Sequence, residues 1–338
     1  MKKGIVVFAS AFVLALSMGF ANSAESQPIK LRFAHFMPTK HPQHKVMADW
    51  AKKIGELTDG RVTIKVFPGG ALGKPQSQYP SCVKGVIDIA FTVPAMLPGR
   101  FPLTSFEDLP FLFQTGEQGS IVLWKTYEKY LQDEYKEVKV LWQHTTEPGM
   151  IHTTKKPVRT LEDLKGLKLS CPNATSSNVV AKLGAVPVTG IITDFYEAMQ
   201  RGVTDGTQLP MNTMAPFRFF EVLKYHTMTD LMLAGFAIVM NKKKYESLPA
   251  DIKKIIDDNI GLEMAKTAGR AYDAEGRKGL ALVEKNKNTI INLSKEERER
   301  WVKQTMPVRE DWAQEMEQKG LPGRDLLQYV VDLAAKYQ

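Results

Sequence analysis

The sequence predicts an α/β protein of two lobes with a ligand cleft between them. Its 338 residues are enough for two domains. An order of strand, helix, strand, helix, strand occurs twice along the chain. Both copies close on one signature: Lys84-Gly85-Val86-Ile87-Asp88 in the first and Arg201-Gly202-Val203-Thr204-Asp205 in the second. In each, a glycine ends a helix and an aspartate precedes a strand.

In the first copy, residues 30–36 (KLRFAHF) read as a strand. Residues 44–60 follow with Val46, Trp50, Ile54 and Leu57 at helical spacing and an Asp-Gly stop. Residues 61–69 alternate as a strand does, 77–85 form a short helix, and 86–94 a buried strand. The second copy runs through a strand at 166–171 (GLKLSC), a helix at 176–184, an extended piece at 185–190, a helix at 193–202 and a strand at 203–210. Both closing strands run into a proline, Pro94 and Pro210.

Two such units imply mainly parallel sheets. Ligands of such sheets bind beyond the carboxyl ends of the strands. Those ends fall at His35-Phe36, Val93, Ser170-Cys171 and Leu209, so these residues are expected to line one cleft. A further apolar strand, KVLWQ, leads to His144, which can donate a hydrogen bond near neutral pH. Residues 235–249 read as a strand that rejoins a sheet, so the chain crosses between lobes more than once. Residues 248–286 are helical, and a helix over 294–307 starts at a capping box of Ser294 and Glu297. These C-terminal helices are expected to clasp both lobes. Lobe I is assigned to 25–147 plus about 235–276, and lobe II to 148–234 plus about 277–338.

Residues 1–24 carry Lys2 and Lys3, an uncharged apolar stretch over 5–20 and the small-residue run ANSA, the pattern of a secretory signal peptide. A periplasmic location follows as an expectation. Without this segment the charge is 43 basic against 37 acidic residues, or +6. The lysines are scattered and not interleaved with aromatics, which argues against a nucleic-acid partner. Cys82 and Cys171 lie in apolar contexts and are expected to remain two buried free thiols.

Enzymatic signatures are missing. GGALGKP lacks the spacing of a phosphate loop and has Pro75 where a magnesium ligand is needed. His35, His41 and His44 have no cysteine or carboxylate cluster to complete a metal site. Asp194 and Glu197 fit the first turn of a helix, where carboxylates favour the macrodipole. No nucleophile is paired with a base, so no enzyme, cofactor or metal is expected.

The segments HPQHKVMADWAKKIGELTDGRVTIKVFPGGALG, DIAFT, LPFLF, GLKLSCPNATSSNVVAKLGAVPV, DFYEAMQRGVTDG and FFEVLKY together resemble the solute-binding proteins of tripartite ATP-independent periplasmic (TRAP) transporters, the dicarboxylate-binding-like class. The resemblance spans nearly the whole chain after the signal. It implies the two-lobed periplasmic-binding-protein (Venus-flytrap) fold, closure on a small organic solute, and delivery to a permease of small and large membrane subunits. A monomer is expected. A ligand-sensing subunit or an exported enzyme on the same scaffold are the rival roles.

The departures concern the ligand. The family strand GLK-x-R-x-P usually carries an arginine that clamps a carboxylate; here Ser170 stands there. The polar position past the proline is retained as Asn173. Leu209, Ile151, Phe36 and Val93 occupy other positions that are often polar or charged in the family. With Ile192, these side chains imply an apolar wall, and Asn212 and Phe236 complete the candidate set beside His144. The expected solute has an apolar or aromatic body and at most one carboxylate. The alternative is an ordinary organic acid held by another basic residue, such as Lys74, Arg100 or Arg218.

Overall fold

The computed structural model describes residues 27–338; the signal-peptide reading lies outside the described residues. Lobe I is built on a sheet of order β2-β1-β3-β10-β4, with β1 at Ile29–Ala34, β2 at Val62–Phe67, β3 at Ile89–Thr92, β4 at Val138–Thr145 and β10 at Gly235–Asn241. Lobe II uses the order β7-β6-β8-β5-β9-β11, with β5 at Met150–Thr153, β6 at Lys168–Cys171, β7 at Val186–Thr189, β8 at Gly206–Leu209, β9 at Tyr225–Met228 and β11 at Thr289–Asn292. The first five strands of each order correspond one to one, so the repeat in the sequence is a repeat of topology.

The repeated signature has a physical cause. Gly85 and Gly202 both adopt left-handed backbone, φ 74° and 72°, which glycine tolerates without strain. The aspartate that follows each then anchors the neighbouring strand. Asp88 Oδ2 accepts from the Arg32 amide of β1 at 2.8 Å, and Asp205 Oδ2 accepts from the Lys168 amide of β6 at 2.9 Å.

Parallel pairing holds for β1 with β2 and β3, and for β6 with β7 and β8. It fails at one strand per sheet. β10 is antiparallel to β3 and β4, and β5 is antiparallel to β8 and β9. Each of these strands begins just after the chain has crossed from the other lobe, so it enters its sheet from the cleft side.

The helices cover the outer faces. In lobe I these are α1 (Pro42–Leu57), α2 (Pro75–Val83) and α3 (Gly116–Thr126); in lobe II, α4 (Leu161–Leu164), α5 (Ala174–Lys182) and α6 (Phe195–Gln200). After β10 come α7 (Lys242–Glu246), α8 (Ala250–Asp257), α9 (Leu262–Lys285), α10 (Lys295–Gln318) and α11 (Gly323–Lys336). The helical stretch after Leu248 is broken at Gly261, where φ is 77°. α9 packs on α1, α3 and β4 and also on the turn after β8. α10 packs on α5, and α11 packs on α10 and on α3.

α10 runs well past Pro307, where the sequence pattern suggested an end. The lost hydrogen bond is offset by burial of Val308, Trp312, Ala313 and Met316 on the same face. Its capping box is also half made. Ser294 Oγ accepts from the Glu297 amide, but the buried Glu297 carboxylate turns to the Leu161 amide and the Trp301 indole.

Cys82 lies under the lobe I sheet and Cys171 ends β6 in lobe II; both are buried and unbridged. Burial pushes both thiols up. Alkylation of the denatured, unreduced protein should add two groups per chain by intact mass. Addition of none would mean a disulfide between lobes.

Candidate ligand-binding site

A cleft between the lobes is lined by side chains of both sheets. Lobe I contributes Phe36 from the end of β1, Val93 and Met96 beyond β3, and Gly235 and Phe236 from the start of β10. Lobe II contributes Pro172 and Asn173 beyond β6, Ile192 beyond β7, and Leu209, Asn212 and Phe217 at and beyond β8. The site therefore lies at the carboxyl ends of parallel strands in both sheets. His41, Thr146 and Tyr272 complete the hinge side.

An aromatic stack backs the lobe I wall. Phe36 meets Phe91 edge-on at 5.5 Å, and Phe91 lies 4.9 Å from Phe236. Phe236 stacks on Tyr272 at 5.8 Å, and His41 meets Tyr272 at the same distance. Aromatic planes fixed in this way present large apolar area at low entropic cost. Among the described residues, no Lys, Arg, Asp or Glu lines the cavity.

Three expected site residues stand elsewhere. Ser170 is buried, and its hydroxyl donates to Thr204 Oγ1 at 3.0 Å. Its hydroxyl is spent inside the sheet, and the cavity begins only past the strand end, at Pro172 and Asn173. Ile151 is buried in the core of the lobe II sheet. His144 is buried beside the wall, tilted against Phe236 at 5.5 Å and stacked on Tyr272 at 5.9 Å. Burial pulls its imidazole down to about 3, so it is a neutral packing ring.

The alternative basic residues are also absent from the lining. Arg100 pairs with Glu137 and Tyr79. Arg218 is exposed and pairs with Glu221. Lys74 precedes α2 and does not line the cavity.

The polar atoms are few and fixed. Asn173 caps α5, accepting from the Ser176 amide at 2.8 Å, while its Nδ2 reaches Asp108 Oδ2 of lobe I at 3.3 Å. Asn212 is held by the buried Glu147 of the interlobe crossover, to which its backbone N and Nδ2 donate at 2.7 and 2.8 Å. Burial raises the Glu147 carboxyl to about 7. Below Leu209, His152 Nε2 lies 2.9 Å from the Leu209 carbonyl, and its Nδ1 lies 2.8 Å from His226 Nδ1.

Sequence reasoning missed His41, Met96, Phe217, Gly235 and Tyr272. Tyr272 shares a helix face with Ala265, Ala268 and Gly269, and a small-residue face on a long helix is the signal of close approach. His41, Met96 and Phe217 sit outside regular strands and long helices, where no periodicity marks them, and Gly235 opens β10 without a side chain.

Residues 33–316 match the model of "Bacterial extracellular solute-binding protein, family 7". The chain belongs to that family. This family 7 solute-binding protein is 28% identical to the C4-dicarboxylate-binding periplasmic protein DctP of Rhodobacter capsulatus, over 92% of this chain and 93% of that one. A TRAP solute-binding protein of Rhodoferax ferrireducens T118, in complex with copurified benzoate, is 32% identical; it superposes with a TM-score of 0.87, covering 91% of this chain and 98% of that one. A marine-metagenome TRAP solute-binding protein with 3-hydroxybenzoate is 31% identical, with a TM-score of 0.88 and coverage of 93% and 100%. The family 7 protein is thus a TRAP-type solute receptor, a binding protein for small organic solutes and not an enzyme. Among the described residues no helix is long and apolar enough to cross a membrane, and no group of three or more His, Cys, Asp or Glu is arranged to hold a metal.

Proposed function

We propose that this receptor binds an aromatic monocarboxylic acid in the periplasm and delivers it, as a monomer, to the two membrane subunits of a TRAP permease. The observation that carries the proposal is a cavity with an aromatic wall and no charged lining side chain among the described residues. A dicarboxylate would leave two charges desolvated without a partner, a cost that polar contacts alone do not offset. A single carboxylate has one place to go. The Ala174 and Thr175 amides at the start of α5 have no acceptor within the helix and favour an anion, while the Ser176 amide is taken by the Asn173 cap. The ring then lies against Phe36, Phe236 and Leu209. Two relatives near 31% identity were solved with benzoate and 3-hydroxybenzoate, which agrees with this chemistry.

Calorimetry of the mature protein with benzoate, 3-hydroxybenzoate, benzamide, succinate and malate tests it. The aromatic acids should bind, benzamide should bind more weakly, and the dicarboxylates should give no heat. Phe236→Ala should weaken aromatic binding by at least about tenfold. Tighter binding of succinate or malate, indifferent to Phe236→Ala, would overturn the proposal.

A further inference from the structure

Asn212 stands in the turn after β8 and lines the ligand cavity, with half of its side-chain amide engaged. Its backbone N donates to Glu147 Oε1 at 2.7 Å, and its Nδ2 donates to Glu147 Oε2 at 2.8 Å. Its Oδ1 accepts no hydrogen bond from the described residues, yet it is not one of the sealed, unpaired polar atoms of the interior. What little surface this buried residue keeps is cavity surface, so Oδ1 faces the solute.

Glu147 sets that orientation. An ionised carboxylate only accepts, so the Asn212 oxygen cannot take the place of Nδ2 without setting two lone pairs face to face. The carboxyl has little room to turn aside, because a Cβ on Gly276 of α9 would lie 2.6 Å from Oε1. Burial raises Glu147 to about 7, and Asp273 of α9 raises it further. Asp273 itself accepts from the Gly116 and Glu117 amides of α3 at 2.6 and 3.0 Å and interacts with Arg277, while Glu117 pairs with Arg270. The Tyr272 phenol of α9 also feels the Glu147 charge. The turn Met211–Thr213 brings no titratable side chain. A proton on Oε2 makes Glu147 a donor. The Asn212 amide then turns over, Oδ1 accepts from that proton, and Nδ2 enters the cavity in its place.

We propose that Asn212 is a specificity-determining residue that reads a hydroxyl on the ring of the aromatic acid, and that Glu147 is the positioning residue that decides which end of the amide the solute meets. The inference rests on the aromatic-acid reading above and deepens it. A carboxylate is repelled by Oδ1, and a bare ring displaces its water and offers no donor in return. A phenolic hydroxyl donates to it. β6 and β8 are neighbouring parallel strands, and such neighbours lie about 4.8 Å apart. The start of α5 and Asn212 therefore stand at the ends of adjacent strands, within the span of a substituted benzene ring. With Glu147 ionised the receptor selects a hydrogen-bond donor at this point; with Glu147 protonated it selects an acceptor.

The test is calorimetry of the mature protein at about pH 8 and about pH 6 with benzoate, the three hydroxybenzoates and the three methoxybenzoates. At the higher pH at least one hydroxybenzoate should bind about tenfold more tightly than benzoate and than its methoxy counterpart. At the lower pH that advantage should fall to about threefold or less. Glu147→Gln, whose amide donates to Asn212 as the protonated acid does, should show the small advantage at both pH values, and Asn212→Ala should lose it at both. Asp108, which accepts from Asn173, also titrates near 7; the ratio to benzoate and the Glu147→Gln comparison separate its effect. Without any solute, the side-chain amide NMR signals of Asn212 should titrate with a midpoint of about 7 and stay fixed in Glu147→Gln. Equal binding of benzoate and all hydroxybenzoates at the higher pH, a preference surviving in Asn212→Ala, or one pH profile shared by wild type and Glu147→Gln overturns this inference and leaves the aromatic-acid reading standing. Binding of no aromatic acid overturns that reading and the hydroxyl assignment with it, and the Asn212 titration then still decides the role of Glu147.

Discussion

Gly279→Ala is expected to destabilise the protein by about 2 kcal/mol and to weaken ligand binding by at least tenfold. Helix propensity alone favours the change by about 1 kcal/mol. Packing reverses the sign. A Cβ on Gly279 would lie 2.1 Å from the Met211 carbonyl oxygen and 2.9 Å from its carbon, and neither backbone atom can swing aside. Met211 is buried and precedes Asn212, whose amides are fastened to Glu147. Pushing this turn away from α9 displaces Asn212 from the cavity wall. Gly55→Ala in α1 is the control, because its nearest non-neighbour atom would lie at an ordinary 3.5 Å. Gly55→Ala should be neutral or stabilising in urea unfolding. Equal effects of the two substitutions would refute the close-approach account.

Acidification from pH 6.5 to about 4.5 is expected to destabilise the fold. Five of the six histidines are held neutral by burial. His35 and His144 are pulled down to about 3, His41 and His226 to about 4, and His152 lower still. The unfolded chain protonates all five below about pH 6.5, so their contribution is complete above that pH and is lost as pH falls. Buried carboxyls act in the opposite sense, Glu107, Asp108 and Glu147 most strongly. Burial raises Asp108 and Glu147 to about 7 and raises Glu107 strongly, so the native state holds protons that the unfolded chain releases above about pH 4.5. The five histidines outnumber the carboxyls raised to about 7 or beyond, so unfolding takes up protons over this range.

The His152–His226 pair shows why protonation is resisted. His152 Nε2 must carry hydrogen for the Leu209 carbonyl, which makes Nδ1 an acceptor and His226 Nδ1 the donor. His226 Nε2 then accepts from Asn288 Nδ2 at 3.2 Å, so no lone pair is free. Nitrogen-detected NMR at pH 5 should show five neutral imidazoles, and urea unfolding from pH 5 to 6.5 should show rising stability. Flat stability across that range, with titrating histidines, would refute this account.

The lobes, their strands and the cleft were legible in the sequence because period-two and helical patterns, glycine stops and the twin aspartates are local signals. Phe36, Val93 and Leu209 follow from one rule, that cavities form beyond parallel strand ends, and Asn173 from the family pattern. Ser170 was placed by the same strand-end rule and by the family pattern, Ile151 by the family pattern alone, and neither signal carries the burial of these side chains within the sheet. His144 was misplaced because a strand end says nothing about what stacks in front of it. The antiparallel entry of β5 and β10 was hidden as well, since strand direction within a sheet is set by non-local pairing.

That antiparallel entry has a consequence for how the molecule can be divided. β10 is an interior strand of lobe I, seated between β3 and β4, yet it is encoded after nearly all of lobe II. A fragment ending at the first crossover would therefore expose two unpaired sheet edges where the finished protein has a continuous ladder. Ribosomal emergence imposes the same state on the nascent chain. The amino-terminal lobe must wait, incomplete and open to wrong partners, until roughly ninety further residues have been made. For an exported protein this delay is useful, because a chain that cannot finish folding early remains threadable across a membrane.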